Sequence, residues 1–165
     1  MPEHRFSLRR RVEFADTDAA GLMHFSNFFR FMEATEHAFH RSLGLSFHDF
    51  RPGTDAAPIG WPRVHAAADY KLPLHFGDDV EVELLIEKIG ATTIHYRFCF
   101  WKSPDDGGDR TLAATGRCVA ACVTFGGGTT APPGISGAPM KAIPIPDAIR
   151  EKLAEAPPET IGGPS

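Results

Sequence analysis

The sequence lacks the features of a membrane-spanning or nucleic-acid-binding protein. No apolar stretch approaches the ~20 residues that a transmembrane helix needs. Lysine and arginine total 17 against 21 acidic residues, which gives a net charge of −4, and no dense basic run occurs. Because a phosphate backbone is bound by clustered basic side chains, we expect no nucleic-acid partner. No apolar run follows the arginines of residues 5–11, so we expect no signal peptide and a cytoplasmic location.

Cysteine is scarce as well, and the three that occur are Cys99, Cys118 and Cys122. Cys118 and Cys122 lie four residues apart in one predicted strand, so their Cα atoms are expected ~13 Å apart. A disulfide spans less than ~7 Å, which excludes a bridge between these two. No histidine neighbours them in sequence, and a buried structural thiol is the commoner role, so we expect no cysteine nucleophile. The chain also lacks the Gly-x-Ser-x-Gly elbow of an α/β-hydrolase.

The patterns that are present predict one α+β domain. A chain of 165 residues, 42% of them hydrophobic, is long enough for one core. Alternation predicts a first strand over residues 6–15, and helical spacing predicts a helix from about 26 to 43, ended by Gly44. Strand patterns follow at 61–72, 80–89, 92–101 and 110–125, and the last is apolar enough to be central. Since helices and strands do not alternate, the strands should form an antiparallel meander.

The composition changes after Phe125 to a stretch rich in glycine and proline. We therefore expect the domain to occupy residues 1–125, and residues 126–165 to form a tether with a short helix at 145–154 and a tail. A glycine-rich run can also bind phosphate. Here no Gly-Lys-Ser/Thr follows it and no helix begins behind it, which favours the linker interpretation.

An acidic turn separates the first predicted strand from the helix. Asp16 and Asp18 flank Thr17, and Gly21 can adopt the positive φ that other residues resist. A carboxylate just ahead of a helix lies beside unpaired backbone N–H groups and the positive end of the helix dipole. A carboxylate that can attack or deprotonate, beside donors that can stabilise an oxyanion, is half of an acyl-transfer site. Acids at helix starts are also common as turn and cap residues, so spacing alone leaves a catalytic and a capping role open. A third possibility is that one acid is structural and the other reactive.

Two consecutive motifs carry a family resemblance: Glu13-Phe14-x-Asp16-x-Asp18-x-Ala20-Gly21, then His24-Phe25-x-Asn27-Phe28. They closely resemble the hotdog-fold acyl-CoA thioesterases, in particular the 4-hydroxybenzoyl-CoA thioesterase type. The similarity continues through Tyr70-x-x-Pro73 and Asp78-Asp79 and covers roughly three quarters of the chain. It implies a hotdog fold, in which a curved antiparallel sheet wraps a long central helix. It also implies homodimers or tetramers with sites at the subunit junction.

The resemblance further implies a thioester hydrolase in which Asp18 is the catalytic carboxylate and the backbone N–H of Phe25 is the oxyanion donor. Whether Asp18 attacks the carbonyl or activates water stays open. His24 either orients the attacking water and contacts the thioester, or is a structural residue paired with a nearby carboxylate. The implied substrate is an acyl or aroyl thioester of coenzyme A, or of a phosphopantetheine arm on a carrier protein. No cofactor is implied.

Several further residues are candidates for substrate binding. Gly21 and Asn27 are expected to shape the turn, since an asparagine amide can cap a backbone donor. Phe28 belongs to a Phe-rich helix face, with Phe25, Phe29 and Phe31, that suits an acyl chain or ring. Glu33 either selects a polar ring substituent, as the family position implies, or makes surface ion pairs.

For the phosphates of coenzyme A, Lys88 is the nearest basic candidate, because this sequence departs from the basic cluster that some relatives carry there. A metal is not expected. The acids and histidines of the helix have ligand-like spacing, but they divide between two faces. They are Glu33, Glu36, His37 and His40.

Two other functions stay open. A hotdog hydratase or dehydratase would need a histidine and an acid that face one another across the site, and His24 next to Asp18 is not obviously such a pair. A non-catalytic acyl-CoA-binding protein would bind the thioester without releasing the thiol.

Overall fold

The protein was analysed as a computed structural model, which describes residues 1–45, 58–104, 107–125 and 140–161. One long helix, α1 (Phe25–Ser42), packs against an antiparallel sheet. The strands, in chain order, are β1 (Arg5–Arg11), β2 (Ile59–Gly60), β3 (Arg63–Tyr70), β4 (Asp79–Ile89), β5 (Thr93–Lys102), β6 (Thr111–Ala121), β7 (Val123–Phe125) and β8 (Met140–Ala142). Two short helices, α2 (Asp147–Arg150) and α3 (Pro158–Ile161), follow.

The main sheet has the order β1-β4-β5-β6-β3, and every neighbouring pair is antiparallel. Strands β4, β5 and β6 form a meander, whereas β3, which was predicted to belong to it, does not pair with β4. Strand β3 pairs with β6 at the far side, so β1 and β3 are the two edge strands. A smaller sheet has the order β2-β7-β8. The prediction of an α+β hotdog fold, with a long helix against an antiparallel sheet, is confirmed.

Helix α1 forms where the sequence predicts it, because its apolar residues recur on one face. The helix buries Phe28, Met32 and Phe39 against the sheet, and each is at most 3% exposed. On β4 the alternating residues 80, 82, 84 and 86 are at most 1% exposed. The helix ends at Ser42, and Gly44, two residues later, has a φ of +69° that suits a residue without a Cβ. The core therefore lies between α1 and one face of the sheet.

Two strand predictions are wrong in extent. The first strand ends at Arg11, and Phe14–Asp16 form a 3₁₀ turn instead of continuing it. The reason is local, because the carboxylate of Asp16 accepts the N–H of Glu13 at 3.0 Å and so closes the turn. The segment 110–125 is two strands, interrupted at Cys122, whose N–H donates to the carbonyl of Thr92 at 2.7 Å. The central strand is β5.

The C-terminal helix is shorter than predicted, four residues in place of ten. Residues 140–161 nevertheless contact the rest of the protein. Ile145, Ile149 and Leu153 are at most 5% exposed, and the backbone of Glu3 exchanges hydrogen bonds with Lys152 and Ala154. Strand β8 pairs with β7. The predicted tether at 126–139 and most of the predicted loop at 45–60 lie outside the described residues, and a domain boundary at residue 125 stays a prediction.

Candidate active site

The two acids of the turn accept hydrogen bonds from different backbone groups. Asp16 is used inside the turn, where its carboxylate binds the N–H of Glu13 and its carbonyl accepts the N–H of His24 at 2.8 Å. Asp18 folds back on the following loop, where Oδ1 accepts the N–H groups of Ala20 at 2.8 Å and Leu22 at 3.3 Å. Both bonds end on Oδ1. Within the described chain no donor contacts Oδ2, and the Asp18 residue is exposed.

A cleft of about 320 Å³ opens beside Asp18. Its walls come from the loop after Asp18, from the start of α1 and from the end of β3 with the segment that follows. The lining residues are Asp18, Leu22, Met23, Phe25, Phe28, Tyr70, Lys71, Leu72, Pro73 and Leu74. The cleft is held together by backbone pairing, since the N–H of Met23 donates to the carbonyl of Leu74 at 2.7 Å. It is a mainly apolar cleft whose charged lining residues are Asp18 and Lys71.

The first residue of α1 contributes backbone to the same cleft. Phe25 follows the N-cap His24, and its N–H is among those that a helix leaves without an internal acceptor. No acceptor for this N–H occurs among the residues that the structure describes. The carbonyl of Phe25 accepts the hydroxyl of Tyr70 at 3.1 Å. The pKa of Tyr70 is raised, chiefly by burial, so this hydroxyl stays protonated.

His24 is turned toward the helix. Its Nδ1 lies 2.8 Å from the hydroxyl of Ser26 and accepts the N–H of Ser26 at 3.3 Å, so the imidazole caps α1. The ring lies against that of Phe25, with centroids 4.4 Å apart. The imidazole thus contacts Ser26 and Phe25, not the carboxylate that the structural alternative named, and a role toward the thioester stays a prediction.

Of the predicted binding residues, Phe28 lies in the cleft, where it is 3% exposed and packs edge-on against Tyr70. Gly21 has a φ of +77° and its N–H donates to the carbonyl of Asp18, so it shapes the loop without lining the cleft. Asn27 is buried, and its amide donates to the carbonyl of Asp16 at 2.8 Å. This amide supports the turn from inside the protein.

Other predicted residues lie away from the cleft of this chain. Glu33 borders a second pocket on α1, together with Phe29. Phe31 is buried beneath the guanidinium of Arg10, so the predicted wall of four phenylalanines is reduced to Phe25 and Phe28 at the cleft. Lys88 is exposed near the end of β4. Their roles toward a substrate stay predictions.

Two features were not predicted from the sequence. Tyr70 was identified only as part of a motif, although it connects β3 to the start of α1. Glu36 was considered only as a metal ligand, although it is 1% exposed and pairs with Arg63. A carboxylate four residues after Met32, on the apolar face of a predicted helix, was the available signal. The described residues hold no group of three metal-ligating side chains, and none of their helices is long and apolar enough to cross a membrane.

Comparison with known proteins identifies the family of the chain. Residues 12–153 match the model of the thioesterase-like superfamily. A 1,4-dihydroxy-2-naphthoyl-CoA hydrolase of Prochlorococcus marinus strain MIT 9313 is 37% identical over 103 residues, which are 60% of this chain and 68% of the relative.

Solved structures share the fold. A 1,4-dihydroxy-2-naphthoyl-CoA thioesterase from Synechocystis superposes with a TM-score of 0.69 at 22% identity, over 90% of this chain and 95% of that one. The 4-hydroxybenzoyl-CoA thioesterase of Pseudomonas sp. strain CBS-3 superposes with a TM-score of 0.72 at 19% identity, over 92% and 100%. The chain therefore belongs to the thioesterase-like superfamily and has the hotdog fold.

Proposed function

We propose that this enzyme hydrolyses an aroyl- or acyl-CoA thioester with Asp18 as nucleophile or general base and the N–H of Phe25 as oxyanion donor. One observation carries the proposal: the carboxylate of Asp18 and the first turn of α1 border the same apolar cleft. A helix N-terminus there supplies preorganised donors where negative charge develops.

In this mechanism the thioester carbonyl oxygen accepts the N–H of Phe25, while Oδ2 of Asp18 lies toward the carbonyl carbon. Oδ1 is held by Ala20 and Leu22, so the carboxylate keeps one orientation. As general base, Asp18 takes a proton from water as the new C–O bond forms. The C–S bond then breaks, and the leaving thiolate receives the proton. As nucleophile, Asp18 displaces the thiolate, so that the C–S bond breaks as a mixed anhydride forms. Water then hydrolyses the anhydride, which restores the Asp18 carboxylate, releases the acid and supplies the proton that the thiolate takes up.

Aromatic acyl groups suit the cleft best. The rings of Phe25, Phe28 and Tyr70 border it, and a flat ring packs favourably against such a set. The relative and the two structures compared above are named for hydroxylated aromatic acyl groups. We therefore propose a hydroxyaroyl thioester as the first substrate to examine, with Lys88 near the coenzyme A phosphates, or with a phosphopantetheine arm as the carrier.

We also propose that the chain forms a homodimer or a homotetramer. Strand β3 is an edge of the sheet, and Val64 on it is 61% exposed. An unprotected edge strand is a template for pairing with another chain. A second copy paired at β3 would lie beside the cleft, because Tyr70 ends the same strand.

A thiol-release assay with short, long and aromatic acyl-CoA substrates tests the proposal. Asp18→Asn retains an oxygen for the two loop N–H groups but removes the charge, so we expect turnover to fall by ~10²-fold or more with an unchanged melting temperature. Glu151→Gln, an exposed change at the residue that follows α2, is the matched control. Near wild-type hydrolysis by Asp18→Asn would reject the mechanism. Binding without thiol release would indicate a non-catalytic protein, and hydration of enoyl-CoA without hydrolysis would indicate a hydratase.

A further inference from the structure

A second pocket, of about 170 Å³, lies further along α1 from the cleft. We call it the Glu36 pocket, formed by Phe29, Met32, Glu36, Arg63, Ala66 and Cys118. It lies between α1 and the first half of β3, whereas the cleft lies between the start of α1 and the end of β3. Because the same helix and the same strand border both, the two sites follow one side of the protein in succession.

The Glu36 pocket contains a buried carboxylate of which only one oxygen accepts a hydrogen bond from the described residues. Glu36 is 1% exposed, and its Oε2 accepts Nη2 of Arg63 at 2.5 Å. Arg63 donates its other terminal nitrogen, Nη1, to the carbonyl of Trp61 at 2.8 Å. Oε1 of Glu36 has no hydrogen-bond partner among the described residues. A buried acceptor left unpaired is rare in native proteins and unfavourable, so this oxygen marks a place for a donor.

The charges of the pocket indicate which donor fits. When Glu36 is ionised, it and Arg63 have opposite charges at close contact, so the pair attracts neither a cation nor an anion strongly. Glu33 and Arg30, both exposed, also border the pocket and likewise have opposite charges. The apolar remainder, Phe29 and Met32, favours an uncharged group. A neutral hydrogen-bond donor is therefore preferred over an ammonium or a phosphate.

A hydroxyl group meets a further requirement. Burial raises the pKa of Glu36 to about 7, despite the nearby guanidinium of Arg63, so both forms of this carboxyl occur near neutral pH. A hydroxyl donates to the carboxylate and accepts from the carboxylic acid, whereas an amine cation can only donate. The same ligand group thus satisfies Oε1 in either state.

We propose that Oε1 of Glu36 binds a hydroxyl group carried on the distal part of the acyl group, which makes Glu36 a specificity-determining residue. This inference depends on the proposed function. Glu36 follows Phe25 by eleven residues on α1, which places them ~16 Å apart along the helix axis. A hydroxyl on a single ring joined directly to the thioester carbon does not span that distance within one chain. The recognised hydroxyl lies at the far end of an extended or multi-ring acyl group.

The test compares pairs of acyl-CoA substrates that differ only by one hydroxyl, placed at successive distances from the thioester. In the wild-type enzyme we expect kcat/KM for a distally hydroxylated substrate to exceed that of its parent by about tenfold, the value of one buried hydrogen bond. Glu36→Leu should abolish this preference while hydrolysis of the parent persists. Glu151→Gln should keep the preference unchanged.

Glu36→Leu leaves the guanidinium of Arg63 without its carboxylate, which can destabilise the fold. The double variant Glu36→Leu/Arg63→Met removes both charges and is therefore assayed as well. Thermal melting of both variants shows whether they remain folded. A wild-type enzyme without any hydroxyl preference, or variants that retain it, would overturn the inference and leave the proposed function intact. If no thioester is hydrolysed, the proposed function fails. In that case binding of matched non-hydrolysable thioether analogues is measured by calorimetry, and equal Kd values for wild type and Glu36→Leu overturn the inference as well.

Discussion

The hydroxyl of Tyr70 donates a 3.1 Å hydrogen bond to the carbonyl of Phe25, which ties the end of edge strand β3 to the first residue of α1. The ring of Tyr70 also packs edge-on against Phe28, with centroids 4.9 Å apart. The strand therefore holds the helix start at the wall of the cleft. If the N–H of Phe25 is the oxyanion donor, Tyr70 is a positioning residue for it.

Replacing Tyr70 by Phe tests this connection. The change removes the hydrogen bond and keeps the ring, so we expect a loss of ~1 kcal/mol in the free energy of unfolding. We also expect kcat to fall severalfold while KM changes less, since the position of the donor matters most in the transition state. Urea unfolding and steady-state thiol release measure the two effects. Tyr70→Ala, which loses the ring contact as well, should be worse in both, and an unaltered kcat in Tyr70→Phe would contradict the positioning role.

The oxyanion donor itself can be removed with proline. Phe25 is the first residue of α1, where proline is tolerated, and His24 has φ −61° and ψ +135°, which suit a residue before proline. We expect Phe25→Pro to lower kcat by ~10²- to 10³-fold, as loss of one oxyanion donor does. Phe25→Ala keeps the N–H and loses the ring, so it should affect KM more than kcat. Equal kcat in the two variants would show that this N–H does not stabilise the oxyanion.

Gly116 on β6 lets Met32 of α1 approach the sheet. A Cβ at position 116 would overlap the sulfur of Met32 and lie 3.6 Å from the carbonyl of Ala67. We therefore expect Gly116→Ala to lower the free energy of unfolding by ~1 to 3 kcal/mol, as overpacking does. In the double variant with Met32→Ala the two losses should be less than additive. Urea unfolding of the four proteins measures this, and strict additivity would contradict the contact.

The stability of the protein should depend on the ionisation of Glu36. Its pKa is raised to about 7, mainly by burial, and Glu33 adds to the shift while Arg63 opposes it. Between pH 4.5 and 7 the folded state holds a proton that the unfolded state has lost, so this group makes stability fall as pH rises. The loss is on the order of 3 kcal/mol by pH 8 and absent below pH 4.

Glu36→Gln should remove that part of the pH dependence, measured as the difference between wild-type and variant unfolding free energies from pH 4 to pH 8. The difference is needed because His40, also on α1, acts in the opposite direction. Burial lowers its pKa to about 3, so its contribution is lost as pH falls below 6.5. A wild-type-minus-variant difference that does not change with pH would contradict the raised pKa of Glu36.

The parts that sequence reasoning predicted are those in which neighbouring residues decide the conformation. Helix α1 ends within one residue of its predicted limits, because apolar spacing and Gly44 are local signals. The division into a structural Asp16 and a reactive Asp18 stays a prediction. The strand prediction failed at Phe14–Asp16, because a side chain competed for the backbone donor that a strand would have paired.

By itself, the sequence determined the acidic turn, the helix that follows it and the alternating strands, since hydrogen bonds and periodic burial within a few residues specify them. Only the tertiary structure decided which distant residues contact these elements. Tyr70 meets Phe25 across 45 residues, and Arg63 meets Glu36 across 27. Both contacts exist because β3 pairs with β6 at the sheet edge and thereby lies beside α1. Local patterns carry no record of which strand becomes the edge, since that choice depends on how the whole sheet covers the helix.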